Sequence, residues 1–265
     1  MAVVDATGQG SGAGIGQAAP RVQLSLGNSY DSYLRSLNPS AWWKLNDPAG
    51  SATVADSSGN GYTGTVSGGV TFGQPGPIAG GTAASFAGGG NIANSSALPG
   101  PTGAGVFTFL AWALPAVGHY NLGVQAAATL YPANPLQFYY ADNGGTGAPT
   151  GPLYLQVPTG SSTNALLGLG TLPTAAWGMA VVTFDGTNFR GYVNGAFGSS
   201  VAVPAGYPSA SALQALEVGD LYDFPGSIAE VAIFPYALSA AQIAALWSPP
   251  PLVSGGSGFP QLVYR

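Results

Sequence analysis

The 265-residue chain has only two glutamates, Glu217 and Glu230, and neither is followed two residues later by a second carboxylate on its strand. Cleaving a glycosidic bond takes two facing carboxyl groups, about 5 Å apart for retention and further apart for inversion. The pattern therefore argues against hydrolase chemistry and for a protein that is not an enzyme. Glu230 is expected to accept hydrogen bonds from a loop or to take a charge from Arg190. His119, between Gly118 and Tyr120, is the single histidine and has no second imidazole with which to share a metal or build a triad. There is no cysteine, so thiolate metal sites, thiol nucleophiles and disulfides are excluded.

Two kinds of ligand remain. Calcium takes several oxygen donors at once, and Glu217, Asp220 and Asp223 could converge on one loop with backbone carbonyls. Asp47 and Asp56 form a second candidate group, although loop carboxylates are commonly just solvated. No other cofactor is implied. A glycan needs an exposed aromatic platform beside amides and carboxylates. Tyr120, Tyr131, Tyr139, Tyr140, Tyr222 and Phe224 lie in loops or at strand ends and are the candidates, whereas Trp42, Trp112 and Trp177 read as core. Five basic residues against ten acidic ones give a formal net charge of -5, with Lys44 the single lysine, so no basic surface exists to neutralise a phosphate backbone. No apolar run reaches the length of a membrane-spanning helix, and Met1-Ala2-Val3-Val4-Asp5-Ala6 lacks the charged and apolar segments of a secretory signal.

The 42 glycines and 22 prolines break the apolar residues into short runs, the pattern of a many-stranded protein with extensive loops. Residues 1–27 read as an extended arm. Ser29 caps a short helix carrying Tyr30, Tyr33, Leu34 and Leu37, stopped before Pro39 and expected to pack on the edge of the sandwich. Strands are expected at Ala41–Leu45, Tyr62–Val66, Ala83–Ala87, Phe107–Leu114, Leu136–Tyr140 and Leu153–Val157. Trp177–Phe184 and Phe189–Val193 form a hairpin around Asp185-Gly186-Thr187-Asn188, and Leu216–Gly219 and Gly226–Phe234 are the last strands. Phe107–Leu114 is apolar on both faces, which suits a strand covered on each side. Ser239 and Gln242 make a capping box, with Leu238 and Ile243 as its hydrophobic staple, on a closing helix. Residues 249–265 form a proline- and glycine-rich tail, leaving one main domain at 28–248.

Several of these pieces recur in order in one family. They are Ala41-Trp42-Trp43-Lys44-Leu45-Asn46, Asp56-Ser57-Ser58-Gly59-Asn60, Phe107-Thr108 with Trp112, Trp177 through Asp185-Gly186, Tyr192-Val193-Asn194-Gly195, and Gly226–Phe234 followed by Ala237-Leu238-Ser239. Across roughly residues 40–247 the chain resembles the laminin-G-like, concanavalin A-like jelly-roll family. That resemblance implies an all-β sandwich with short flanking helices and extended terminal arms. It departs from the family pattern at Ala229 and Asn46, where acids are usual, which weakens any inherited calcium site. Relatives of this kind are carbohydrate- or protein-binding modules, or appendages of virus particles. The arm and tail look most similar to a minor tail, capsid or decoration protein of a tailed bacteriophage. The primary expectation is thus a non-enzymatic virion protein. Val22, Leu24, Leu26, Leu252, Phe259, Leu262 and Val263 would anchor it to other virion proteins or to copies of itself. The alternative is a carbohydrate-binding or host-adhesion module for a host-surface glycan, with no nucleic-acid or membrane partner in either case. On the virion expectation, deleting residues 1–27 abolishes incorporation into a particle while the sandwich still folds, as assayed by assembly with the truncated chain.

Overall fold

The computed structural model describes residues 29–94, 105–115, 124–128, 131–140, 150–158, 164–173, 175–205, 207, 213–219 and 226–248. The arm 1–27, the tail 249–265 and all seven expected anchor residues lie outside them. Helix α1 (Ser29–Ser36) precedes β1 (Ala41–Trp43), β2 (Thr53–Val54), β3 (Gly64–Pro75), β4 (Thr82–Ala93) and β5 (Phe107–Pro115). Next come β6 (Val124–Ala128), β7 (Tyr131–Tyr140), β8 (Thr150–Pro158) and β9 (Asn164–Pro173). The chain continues through β10 (Gly178–Phe184), β11 (Asn188–Val193), β12 (Ala196–Ala202), β13 (Leu213–Gly219), β14 (Gly226–Phe234) and α2 (Ala240–Trp247).

Hydrogen bonding runs in the order β12-β11-β10-β5-β14-β4-β13-β6-β7-β8-β9, with β1 on β14 and β3 on β4. Strand β4 serves two layers: Ala84–Phe86 pairs with β14, and Asn91–Ala93 pairs with β13. The first layer (β12, β11, β10, β5, β14) and the second (β13, β6, β7, β8, β9) face each other across the main core. Phe109, Val182 and Ile233 enter it from one side, and Leu155, Leu169 and Val218 from the other. This is the antiparallel sandwich that the sequence predicts.

Strands β5 and β10 are buried on both faces, because side chains alternate across a strand. Phe107, Phe109, Ala111 and Ala113 point into the main core, while Leu110 and Trp112 point into a second cluster beneath the helices. There Tyr30 and Leu34 of α1 meet Ile243 and Leu246 of α2 over Trp42, Met179 and Phe234. Trp112 stacks on Trp247 with centroids 5.1 Å apart, and its indole Nε1 donates to the Tyr30 hydroxyl at 3.0 Å. The α2 capping box forms as expected: the Gln242 amide donates to Ser239 Oγ at 3.3 Å, and the Ser239 amide donates to Gln242 Oε1 at 2.8 Å. Trp177 sits at the margin of the second cluster, half-buried.

Besides the two-residue β2, three strands have no counterpart among the expected elements: β6, β9 and β12. All are rich in Ala, Gly or Ser and short of β-branched and aromatic residues, so propensity alone does not mark them. For β9 the glycines report close packing. A Cβ on Gly191 would lie 2.6 Å from Leu169 Cδ2, and one on Gly198 would strike the Leu169 carbonyl, so β9 passes against β11 and β12 only because both positions lack a side chain. Gly198→Ala is therefore expected to destabilise the domain by about 1–3 kcal/mol through overpacking. Gly168→Ala, whose Cβ would meet only Tyr154 Cε1 at 3.9 Å, is expected to be near neutral, and urea unfolding of the two variants checks the contrast.

Candidate functional site

Strand β14 keeps its two-faced alternation only by inserting one extra residue. Its pairing with β5 shifts between Ala229 and Ala232. Ile228 and Val231 face the main core while Ala229 and Ala232 face the helices, which leaves Glu230 as the bulged residue with φ of 54°. Bulges re-aim a side chain. This one turns the Glu230 carboxylate, 5% exposed, towards β1, where Trp42 Nε1 donates to Oε2 at 2.7 Å. The expected pairing with Arg190 does not occur, because Arg190 folds back along its own hairpin to bind Asp185.

Beside Glu230 lies a cleft of about 140 Å³ lined by Asp31, Lys44, Asn46, Thr82 and the Ile78–Gly81 turn. Lys44 Nζ binds Asp31 Oδ2 at 2.5 Å and also stands 5.4 Å from the Trp42 ring centroid. Burial pushes the Glu230 carboxyl up from 4.5 to about 8; the Trp42 hydrogen bond and the Lys44 charge oppose this and Asp31 adds to it. A raised carboxyl in a cleft is the profile of a general acid. Here the group also ties β14 to β1 through a buried indole.

Among the described residues, the loop carboxylates of Asp56 and Asp47 are spent on backbone. Asp56 Oδ1 accepts from the amides of Trp42 at 3.0 Å and Ser58 at 2.9 Å, and Oδ2 accepts from Ser58 Oγ at 2.7 Å and the Tyr62 amide at 3.0 Å. Burial works against its ionisation, yet these four donors outweigh it and hold the carboxyl below its ordinary range. Asp47 likewise accepts from the Ala55 amide at 3.0 Å. Asp56 and its Ser-Ser-Gly-Asn run are thus a loop clamp. Of the calcium candidates, Glu217 accepts from Asn91 Nδ2, while Asp220 and Asp223 lie outside the described residues. Among the described residues no group of three or more acidic or histidine side chains gathers at metal-binding distance.

The outer surface of the second layer presents a different arrangement. Strand register places Glu217 opposite Gln125, Gln125 opposite Gln137, and Gln137 opposite Gln156, in one row across β13, β6, β7 and β8. Residues directly opposite each other share a face. On β8, Leu153, Leu155 and Val157 are buried in the main core while Tyr154 and Gln156 are only half-buried and lie away from it, as does Glu217 between the buried Leu216 and Val218 on β13. One step along the strands, Tyr139 is opposite Tyr154. The row ends on β9 at Leu166, which is 53% exposed. Both described helices pack on the first layer, not on this face.

Of the six aromatic candidates, Tyr139 falls beside this row, and Tyr140 falls opposite the buried Leu153. Tyr131 opens β7 opposite Ala128. Tyr120, Tyr222, Phe224 and His119 lie outside the described residues. Sequence reasoning passed over Gln125, Gln137, Gln156 and Tyr154. The available signal was glutamine at strand centres, uninterpretable until β6 was known to exist.

A family model described as the concanavalin A-like lectin/glucanases superfamily matches residues 87–244. No curated protein matches the chain. Among solved structures, the chain is similar to domain 4 of an extracellular arabinanase from Geobacillus stearothermophilus, in complex with arabinotriose. That match has 20% identity and a TM-score of 0.55, covering 79% of this chain and 98% of that one. The binding domain of Paraclostridial Mosquitocidal Protein 1 matches at 13% identity and TM-score 0.55, over 81% of this chain and 52% of that one. The botulinum neurotoxin serotype G binding domain matches at 14% and 0.53, over 80% and 51%. The chain thus spans about half the length of the two toxin domains, and at such identities the likeness establishes the fold alone.

The buried Glu230 makes stability depend on pH. The folded chain holds its proton up to about 8, whereas a free glutamate releases it near 4.5, so the folded state binds more protons between those values. Stability contributed at this site is therefore greatest near the lower value, falls as pH rises towards the upper one, and is level beyond. Glu230→Gln keeps an acceptor for Trp42 Nε1. It is expected to remove this slope and to stabilise the domain at pH 8.5 by up to about a few kcal/mol relative to wild type, read from melting temperatures of both proteins between pH 5 and 8.5.

Proposed function

The chain belongs to the concanavalin A-like lectin/glucanases superfamily, and on that premise we propose that it is a non-catalytic carbohydrate-binding module. The observation that carries this is the division of the sandwich. One outer face is covered by α1 and α2, while on the other the carboxylate of Glu217, the amide of Gln156 and the ring of Tyr154 are half-buried on the side away from the main core, beside the exposed Leu166. Amides and carboxylates next to aromatic rings are what hydroxyl-rich ligands require. The arabinanase domain's complex with arabinotriose and the binding-domain role named for the two toxin relatives support the same reading.

The same distribution of groups favours binding over turnover. Glu230 is committed to Trp42, Glu217 to Asn91, and Asp56 to its own loop. The expected virion role and virion location rest on residues 1–27 and 249–265, and no neighbour reported above is a virion protein. An appendage that also touches a host glycan would satisfy both readings, but only the glycan reading draws support from the fold's relatives.

A glycan array followed by calorimetry tests the proposal. The full chain is expected to bind at least one polysaccharide class with micromolar to millimolar affinity, about -8 to -4 kcal/mol, with or without added calcium. A silent array under both conditions overturns it.

A further inference from the structure

The cleft beside Glu230 gathers an amine and two carboxyl groups whose chemistry needs no outside ligand. We propose that Asp31 and Lys44 join covalently in the folded chain, through an amide between Lys44 Nζ and the Asp31 side-chain carbonyl, with Glu230 relaying the proton.

Contact is the first support. Lys44 Nζ lies 2.5 Å from Asp31 Oδ2, and the two side chains are only 21% and 27% exposed. An amine held against a carboxylate oxygen is one bond away from the carbon it would attack. Fixing two reacting groups in this way replaces an improbable collision with a standing encounter. Separate elements hold the partners: α1 carries Asp31, and Lys44 directly follows β1. Lys44 is the single lysine of the chain, so the fold spends its one side-chain amine here.

A third group is the second support. The Glu230 amide donates to the Lys44 carbonyl at 3.3 Å, and the Glu230 side chain lines the same cleft as Asp31 and Lys44. Trp42 Nε1 holds Oε2 at 2.7 Å, which leaves Oε1 for the reacting pair. Burial keeps this carboxyl protonated up to about 8, and the charges of Asp31 and Lys44 both act on it. A proton donor thus stands beside a nucleophile and its target at neutral pH, as general acid–base catalysis requires.

The step balances. Within the ion pair a proton passes from Nζ to Asp31, giving a free amine and a carboxylic acid. The nitrogen lone pair then attacks the Asp31 carboxyl carbon and forms the C–N bond. Glu230 gives its proton to the departing hydroxyl and takes one from the nitrogen, the C–O bond breaks, and one water leaves. Glu230 ends as it began, and no oxidant or co-reactant is consumed. The reaction occurs once in each chain, so it turns over no outside substrate. Its product ties α1 to the residue after β1 by a bond that denaturant does not break.

Intact-mass spectrometry of the denatured full chain distinguishes the bond from an ion pair. Wild type, first held folded at neutral pH, is expected to weigh one water less than its sequence. After digestion the peptides containing Asp31 and Lys44 should emerge as a single branched species, and a lysine-specific protease should not cut after Lys44. Lys44→Arg keeps a positive charge for Asp31 and should show the full mass. Glu230→Gln keeps an acceptor for Trp42 Nε1 and should lose water about a hundredfold more slowly, followed in freshly synthesised chains whose folding is checked by circular dichroism. A folded wild-type chain of full mass overturns the proposal and leaves Asp31 and Lys44 an ion pair. Water loss that persists in Lys44→Arg, or that maps to other residues, overturns it equally, and water loss at the wild-type rate in Glu230→Gln overturns the relay.

Discussion

Burial of both faces of the central strands is the constraint from which the rest follows. Strands β5, β10 and β14 send alternate side chains into two separate apolar clusters, so a slip of one residue would exchange the two sets and spoil both. The bulge at Glu230 preserves the phase: by inserting a single residue it lets Ile228 and Val231 face one way and Ala229 and Ala232 the other. Its cost is a carboxyl in apolar surroundings with a left-handed backbone. The Trp42 indole offsets part of that cost and, in doing so, fastens the first strand to the last.

Covering the first layer settles what the second can be. Helices α1 and α2 complete the burial of Trp42, Trp112, Met179 and Phe234, and the stacked Trp112–Trp247 pair with the Tyr30 contact gives that cover a defined seat. On the second layer Leu155, Leu169 and Val218 are buried in the core, while Tyr154, Gln156 and Glu217 are half-buried on the other side and Leu166 is exposed. The two layers are therefore asymmetric: both described helices lie on the first and neither on the second.

The sequence made the first layer legible and the second largely not. Phe107–Leu114, Trp177–Phe184 and Gly226–Phe234 are dense in aromatic and branched side chains, because strands buried twice must be, and their hairpin and capping signals are local. Strands β6 and β9 need only one apolar face, and in Val124-Gln125-Ala126-Ala127-Ala128 even that face is nearly all alanine. Gln125 and Gln156 lie far apart in sequence and become neighbours in one row only through the pairings of β6, β7 and β8. The Glu230 site was half legible: its motif position was visible, but its partner depended on the bulge, and a charge argument pointed to Arg190 when an indole from β1 was the true donor.

Strand β4 belongs to both layers, paired with β14 near its start and with β13 near its end. Between those pairings lies Gly88-Gly89-Gly90, with Gly89 at φ of 77° and Gly90 too close to the Gly69 carbonyl to carry a side chain. Because the same backbone ribbon is stitched into both sheets, neither can peel away without tearing the other's ladder. Thermal or mechanical load on the second sheet is thereby shared with the helix-clad one, and the sandwich should melt as a single cooperative unit rather than sheet by sheet.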